Sequence, residues 1–328
     1  MLFRSMRLCG VLLLATAFWF VGRERNLLDA ALVACAVAVS GAVQTYKLVV
    51  GFPDPLSFAL LLLAIAAVRM PALFWCINGL SLLNHEMLLF FVPWLLWQRR
   101  LAGGRWQSDV IGLAVVGALY AGFRLWVGAH VPQATLDANW YAGKSLFPLG
   151  TIWLWLLSFV YWATDFGPLL AVIAYGLWAV PRRGFAVGFA LFLGGIFAIY
   201  AVVYVYDFFR FGSALCVPLV LAAMRLLEER RGRWILAIFV LLTAISYAAW
   251  HPGAGHVLGR PEGYVQVCDI DRITIETCAL PDGTVDFTRL FTGVVPRIWP
   301  LLAGIALEWL ALLGIGYWLA RRDQPSRY

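Results

Sequence analysis

The sequence predicts an all-α integral membrane protein: about ten transmembrane helices with a small extracytoplasmic β-cap. Three observations carry this. First, the 328 residues are 62% hydrophobic and 13% charged, with a mean hydropathy of +0.82. Soluble domains carry roughly 25% charged residues, so this chain lacks the charge to coat a water-facing surface. Second, the apolar residues come in blocks of about 15 to 27, against the ~20 that span a bilayer core. Third, the bases fall in short clusters between those blocks: Arg4 and Arg7, Arg99 with Arg100 and Arg105, Arg182 with Arg183, Arg225 to Arg233, and Arg321 with Arg322. Cytoplasmic loops have this pattern under the positive-inside rule. The 16 Trp and 12 Tyr fit the two membrane interfaces.

Ten runs qualify as spans: 6–22, 27–45, 55–69, 71–97, 109–128, 164–181, 184–205, 211–227, 234–250 and 296–320. The first resembles a signal peptide, but only Gly22-Arg23-Glu24-Arg25 follows it, without a small-residue cleavage site, so it reads as an uncleaved helix. With the N-terminus inside, the strong basic clusters and the C-terminus all fall in the cytoplasm. The expected location is a bacterial inner membrane, multi-pass, with both termini cytoplasmic. The net charge of +7 is spread over loops with no basic domain outside the membrane, which excludes nucleic acid as a partner.

The run 71–97 is long for one helix and short for two. It fits one tilted span or a hairpin turning at Asn84-His85-Glu86, and the hairpin would invert everything upstream. The Trp-rich run 151–162 reads as an interfacial helix on the outer face. Outside the membrane, 129–148 carries Trp140 and Tyr141. The segment 251–295 alternates with period two at Tyr264-Val265-Gln266-Val267 and Arg272-Ile273-Thr274-Ile275-Glu276, and Asp282-Gly283 marks a tight turn. The organisation is therefore a helical bundle over 1–250, a cap over 251–295, and a last helix with its tail over 296–328. Cys268 and Cys278 in the cap suit a disulfide in an oxidising compartment. Cys9, Cys35, Cys76 and Cys216 lie in apolar runs and read as packing residues. No spacing matches a metal site, and no phosphate-cradling glycine loop implies a cofactor.

Candidate chemistry rests on polar residues inside apolar runs. A carboxylate at the centre of a span costs ~2.5–3.5 kcal/mol on insertion scales, so a retained one is paired, wetted or protonated. Glu86, with Asn84 and His85 beside it, and Glu308 in the last run are such acids; both are expected to face the bundle interior at similar depth. Asp54, in the rigid loop Gly51-Phe52-Pro53-Asp54-Pro55, is either a helix cap or a third acid. Asp207 and Arg210 sit where one span ends outside and the next begins; the planar fork of Arg210 suits a phosphate, and the same pair also suits an interfacial ion pair. Arg124 reads as snorkelling to the headgroups.

The stretch from Leu80 to Phe90, with its Asn84-His85-Glu86, resembles the Asn-x-Glu helix of bacterial polytopic proteins grouped with the C-superfamily glycosyltransferases. Asp207-Phe208-Phe209-Arg210 followed by Pro218 resembles a later helix start in the same proteins. The resemblance covers about a third of the chain. It implies sugar transfer from a polyprenyl-phosphate donor at the outer face, using an acid near the first outer loop. That loop is only Arg23-Glu24-Arg25-Asn26 here, so Glu86, Glu308 or Asp54 would have to supply the acid. Asn84, His85, Asp207, Arg210, Trp140 and Tyr141 would bind substrate, the aromatics stacking on sugar faces. The alternatives are a proton-coupled transporter or flippase, and a non-catalytic partner in an envelope-polysaccharide system.

Overall fold

The structure, a computed structural model, describes residues 2–43, 54–130, 162–163, 165–179, 183–202, 212–250 and 295–322. Every element among them is helical. In chain order they are α1 (Leu2–Gly22), α2 (Leu27–Val39), α3 (Asp54–Ala66), α4 (Pro71–Asn84), α5 (Leu88–Leu101) and α6 (Trp106–His130). Then follow α7 (Leu170–Ala179), α8 (Arg183–Val202), α9 (Cys216–Leu226), α10 (Gly232–Trp250) and α11 (Val295–Arg322). Short 3-10 turns, Gly167–Leu169 and Ser213–Leu215, lead into α7 and α9. The expected β-cap with Cys268 and Cys278, the interfacial run 151–161, Trp140, Tyr141, Asp207 and Arg210 all lie outside the described residues.

Each predicted apolar run coincides with helix at its described residues, but 71–97 holds two helices. Pro71 opens α4 at its first turn, where a missing N–H costs nothing. α4 ends where His85 becomes extended (φ −160°, ψ 133°), and a turn at Glu86 and Met87 leads into α5. Contacts at the far ends settle the geometry. Arg99, near the end of α5, lies over the ring of Phe74 near the start of α4 and donates to the carbonyl of Val68 just before it. The chain therefore goes out along α4 and back along α5. Of the two expected arrangements the segment takes the hairpin, and α4 and α5 have 14 residues each, or roughly 21 Å at 1.5 Å per residue.

The hairpin sets the direction of every helix before it. Arg23, just past α1, donates to the Ala66 carbonyl at the end of α3, so α1 and α3 run the same way. Gly22 packs on Ala30 and Gly10 on Val43, so α1 and α2 are antiparallel. Asn84 meets Ser57 and His85 meets Asp54, so α3 and α4 are antiparallel. α4 and α6 run parallel, because Trp75 meets Asp109 at one end and Glu86 meets Arg124 at the other. Gly103, at φ +83°, makes the tight turn from α5 into α6 that returns the chain.

Two unlike ends result. The basic end holds Arg23, Arg25, Arg69, Arg99, Arg100, Arg105, Arg225, Arg230, Arg231 and Arg233, tied by Arg25–Glu228, Arg225–Glu228 and Arg233–Asp29 pairs. The hairpin end holds the start of α1, the start of α3 and the turn at Glu86. The start of α1, with its Arg4 and Arg7, is therefore opposite the other clusters, contrary to the expectation that all of them share one side.

The core between the helices is apolar, built on Phe58, Phe74, Phe91, Trp94, Phe166 and Phe192. Many large apolar side chains nonetheless point outward, among them Leu119, Leu125, Trp234 and Leu307. By length and composition, α6 is long and apolar enough to cross a membrane, and apolar stretches of 10–17 residues lie in α1, α2, α3, α7, α8, α9 and α10.

Candidate functional site at the hairpin end

The hairpin turn brings three predicted residues to the start of α3. Asp54, the first residue of α3, is fully buried, and its Oδ1 lies 3.7 Å from His85 Nε2. The backbone N–H of Met87 donates to His85 Nδ1 at 3.1 Å. In the neutral imidazole that leaves the proton on Nε2, aimed at the Asp54 carboxylate. Asn84 Nδ2 donates to Ser57 Oγ, one turn into α3, at 2.8 Å. Asp54, Asn84 and His85 therefore form one polar seam between α3 and α4.

Glu86 points the other way, toward α6. Arg124 Nη1 donates to Glu86 Oε1 at 2.9 Å, with both side chains about half exposed (53% and 49%). Burial alone would raise the Glu86 pKa. A backbone hydrogen bond, the Tyr120 hydroxyl, His85 and Arg124 together outweigh it and hold the carboxyl below its usual range. Among the described side chains Arg124 is the arginine of this end, and its Nη1–Glu86 bond leaves the rest of the guanidinium fork open.

Tyr120 also lines an apolar groove of about 770 Å³ between α4 and α6. Its walls include Leu80, Leu83, Ile111, Val115, Leu119 and Phe123. The floor is closed, because Gly112 sits directly under the Trp75 ring and Gly79 lies against Val116. Its other end, at Pro71 and Ser108, abuts the basic end.

The remaining predicted acid lies elsewhere. Glu308 is exposed on α11, between exposed Leu307 and Leu310, and α11 packs against α7. Neither Glu86 nor Glu308 faces the interior of the described bundle: one is at a turn, the other on an outer helix face. Asp207, Arg210, Trp140 and Tyr141 fall outside the described residues.

Sequence reasoning missed Arg124, Tyr120 and Ser57 as site residues. One signal was available for Arg124: a lone arginine within a long apolar run calls for a partner as much as the lone Glu86 does. It also missed the pair that closes the opposite end of the groove. There Arg99 Nε donates to Asp109 Oδ1 at 2.8 Å, both side chains about 3% exposed, and Trp75 Nε1 donates to the same oxygen at 3.3 Å.

No protein-family model, no curated protein and no solved structure matches this chain.

Proposed function

We propose that this is a multi-pass protein of a bacterial inner membrane that transfers a sugar from a polyprenyl-phosphate donor at its outer face. Two features support embedding in a membrane. Large apolar side chains such as Leu119, Leu125, Leu241 and Leu307 face outward over many helices, and soluble monomers rarely expose contiguous large apolar patches. Most of the described arginines gather at one end, Arg4, Arg7 and Arg124 excepted, and the positive-inside rule assigns that end to the cytoplasm. The hairpin end is then outside, and the N-terminus with it.

The observation that carries the transfer reading is the Glu86–Arg124 pair, half exposed at the outer end and joined through Tyr120 to an apolar groove. In the resting site a backbone hydrogen bond, the Tyr120 hydroxyl, His85 and Arg124 together keep Glu86 ionised and weakly basic. A donor phosphate that takes the open fork of Arg124 draws that charge away from Glu86 and strengthens it as a base. An acceptor hydroxyl then gives its proton to Glu86, and its oxygen attacks the anomeric carbon of the donor sugar. The bond from that carbon to the phosphate oxygen breaks, and polyprenyl phosphate leaves with its charge held by Arg124. Glu86 releases the proton to outer water. The His85–Asp54 pair positions the turn that carries Glu86.

The test is sugar transfer by the full chain in vesicles, with a radiolabelled polyprenyl-phosphate sugar. Activity that Glu86→Gln and Arg124→Gln each abolish, and Arg230→Gln leaves intact, supports the reading. Full activity in both hairpin-end variants overturns it.

A second reading, a proton-coupled carrier, has one observation of its own. Asn78 Oδ1 and Ser81 Oγ are buried without a partner among the described residues, on the α4 face that leads inward from His85. Buried polar atoms of this kind call for water. Proton flux into vesicles that Asn78→Leu blocks would favour the carrier.

A further inference from the structure

We propose that the groove between α4 and α6 holds the hydrocarbon chain of a membrane lipid phosphate, whose phosphate rests on Arg124. This deepens the reading above and relies on its membrane embedding, not on sugar transfer.

The polarity of the groove matches an amphiphile end to end. Its walls are aliphatic and aromatic from Ile111 to Leu119, the Tyr120 hydroxyl and the Phe123 ring come next, and the charged pair of Glu86 and Arg124 lies at the end. From Ser108 to Phe123 the wall formed by α6 runs roughly 22 Å at 1.5 Å per residue, most of the depth of a ~30 Å bilayer core. Its volume of about 770 Å³ falls within the ~300–1,000 Å³ of small-molecule sites.

The depression is fixed, not a gap awaiting closure. α4 and α6 already touch along its floor, where Gly112 admits the Trp75 ring, and Asp109 holds that ring through Trp75 Nε1. The small residues of the groove floor, Gly112 and Gly79, are spent on this contact. A helix from another copy would also have no use for a charge at one end. A single chain with an anionic head does. Arg124 is half exposed, and its fork is only partly used by Glu86. A phosphate monoester can take two of its N–H groups at once, which a lipid alcohol cannot.

The experiment uses the full chain in nanodiscs and a long-chain alkyl phosphate carrying a mid-chain diazirine. After photolysis, labelled residues are located by peptide mass spectrometry. Label should concentrate at 79–83 and 111–123, and unlabelled alkyl phosphate should compete while the alcohol of equal length does not. Arg124→Gln should lower labelling about tenfold, the loss of one charge-assisted contact, and Arg124→Lys should restore part of it. Leu119→Trp should block the groove without touching the ion pair. Label spread evenly over the outer helix faces, equal competition by the alcohol or by a fatty acid, or a covalent link between two copies across α6 overturns the proposal. Intact labelling without sugar transfer would sink the transferase reading alone. Transfer without groove labelling would sink this inference alone.

Discussion

Two arginine–carboxylate pairs flank the α4–α6 groove, and they differ in almost nothing but burial. Arg99–Asp109 measures 2.8 Å with both side chains about 3% exposed; Arg124–Glu86 measures 2.9 Å with both about half exposed. The first also receives Trp75 Nε1 and spends its other donors on the Val68 carbonyl and Ser108 Oγ. Its guanidinium and the Asp109 Oδ1 are bonded inside the protein, so the pair holds α4, α5 and α6 together. The second leaves donors and a carboxylate open to what lies outside. The same chemistry is a staple where it is sealed and a site where it is open.

The largest expected effect is at the staple. Arg99→Gln or Asp109→Asn leaves a buried charge without its partner and should cost about 3–5 kcal/mol in chemical unfolding in detergent. The double replacement Arg99→Leu with Asp109→Leu should recover much of that loss, because no lone charge remains. Equal damage from the double variant would mean the pair acts through its shape.

Next comes the seam between the pairs. Gly112→Val pushes a side chain into the Trp75 ring, and overpacking of this kind costs about 1–3 kcal/mol. A stable variant would show that α6 can move off α4, which a fixed groove forbids.

At the open pair the stability effect should be small. Glu86→Gln or Arg124→Gln should change unfolding by about 0–1 kcal/mol, as half-exposed pairs do, while abolishing transfer. Loss as large as that of Arg99→Gln would erase the distinction.

The smallest effect is that of pH. The folded pKa of Glu86 lies below its ordinary value, so its stabilisation is complete above the unfolded carboxylate pKa of about 4.3. It is lost as pH falls through the lower folded value. Melting followed from pH 6 down to pH 3 should show a wild-type decline that Glu86→Gln partly lacks; identical curves would remove the ionised carboxylate from the hairpin end.

Helix positions were legible in the sequence, because apolar runs and their Pro and Arg boundaries fix them locally. The direction of the first helices was not. Pro71 to Trp97 is apolar on both sides of the turn, and the turn itself uses an extended His85 with no glycine or proline beside it. Whether that residue breaks the helix depends on Asp54 and Ser57, some 30 positions earlier, holding the hairpin end. The Glu86–Arg124 pair spans 38 positions, and only the parallel packing of α4 and α6 brings it together. Asp54, Asn84, His85 and Glu86 were named because polar residues stand out in apolar runs. Glu308 stood out for the same reason and proves to lie on an outer face, since a lone polar residue reveals its cost and not its direction.

The most direct test is the sidedness of the two pairs. In a cysteine-free background, Glu86→Cys and Arg100→Cys are exposed in intact cells to a maleimide that cannot cross the membrane. Glu86→Cys should label in intact cells, and Arg100→Cys only after permeabilisation. Labelling of both from the same side, or of Arg100→Cys alone from outside, would contradict an outward site opposite a cytoplasmic staple.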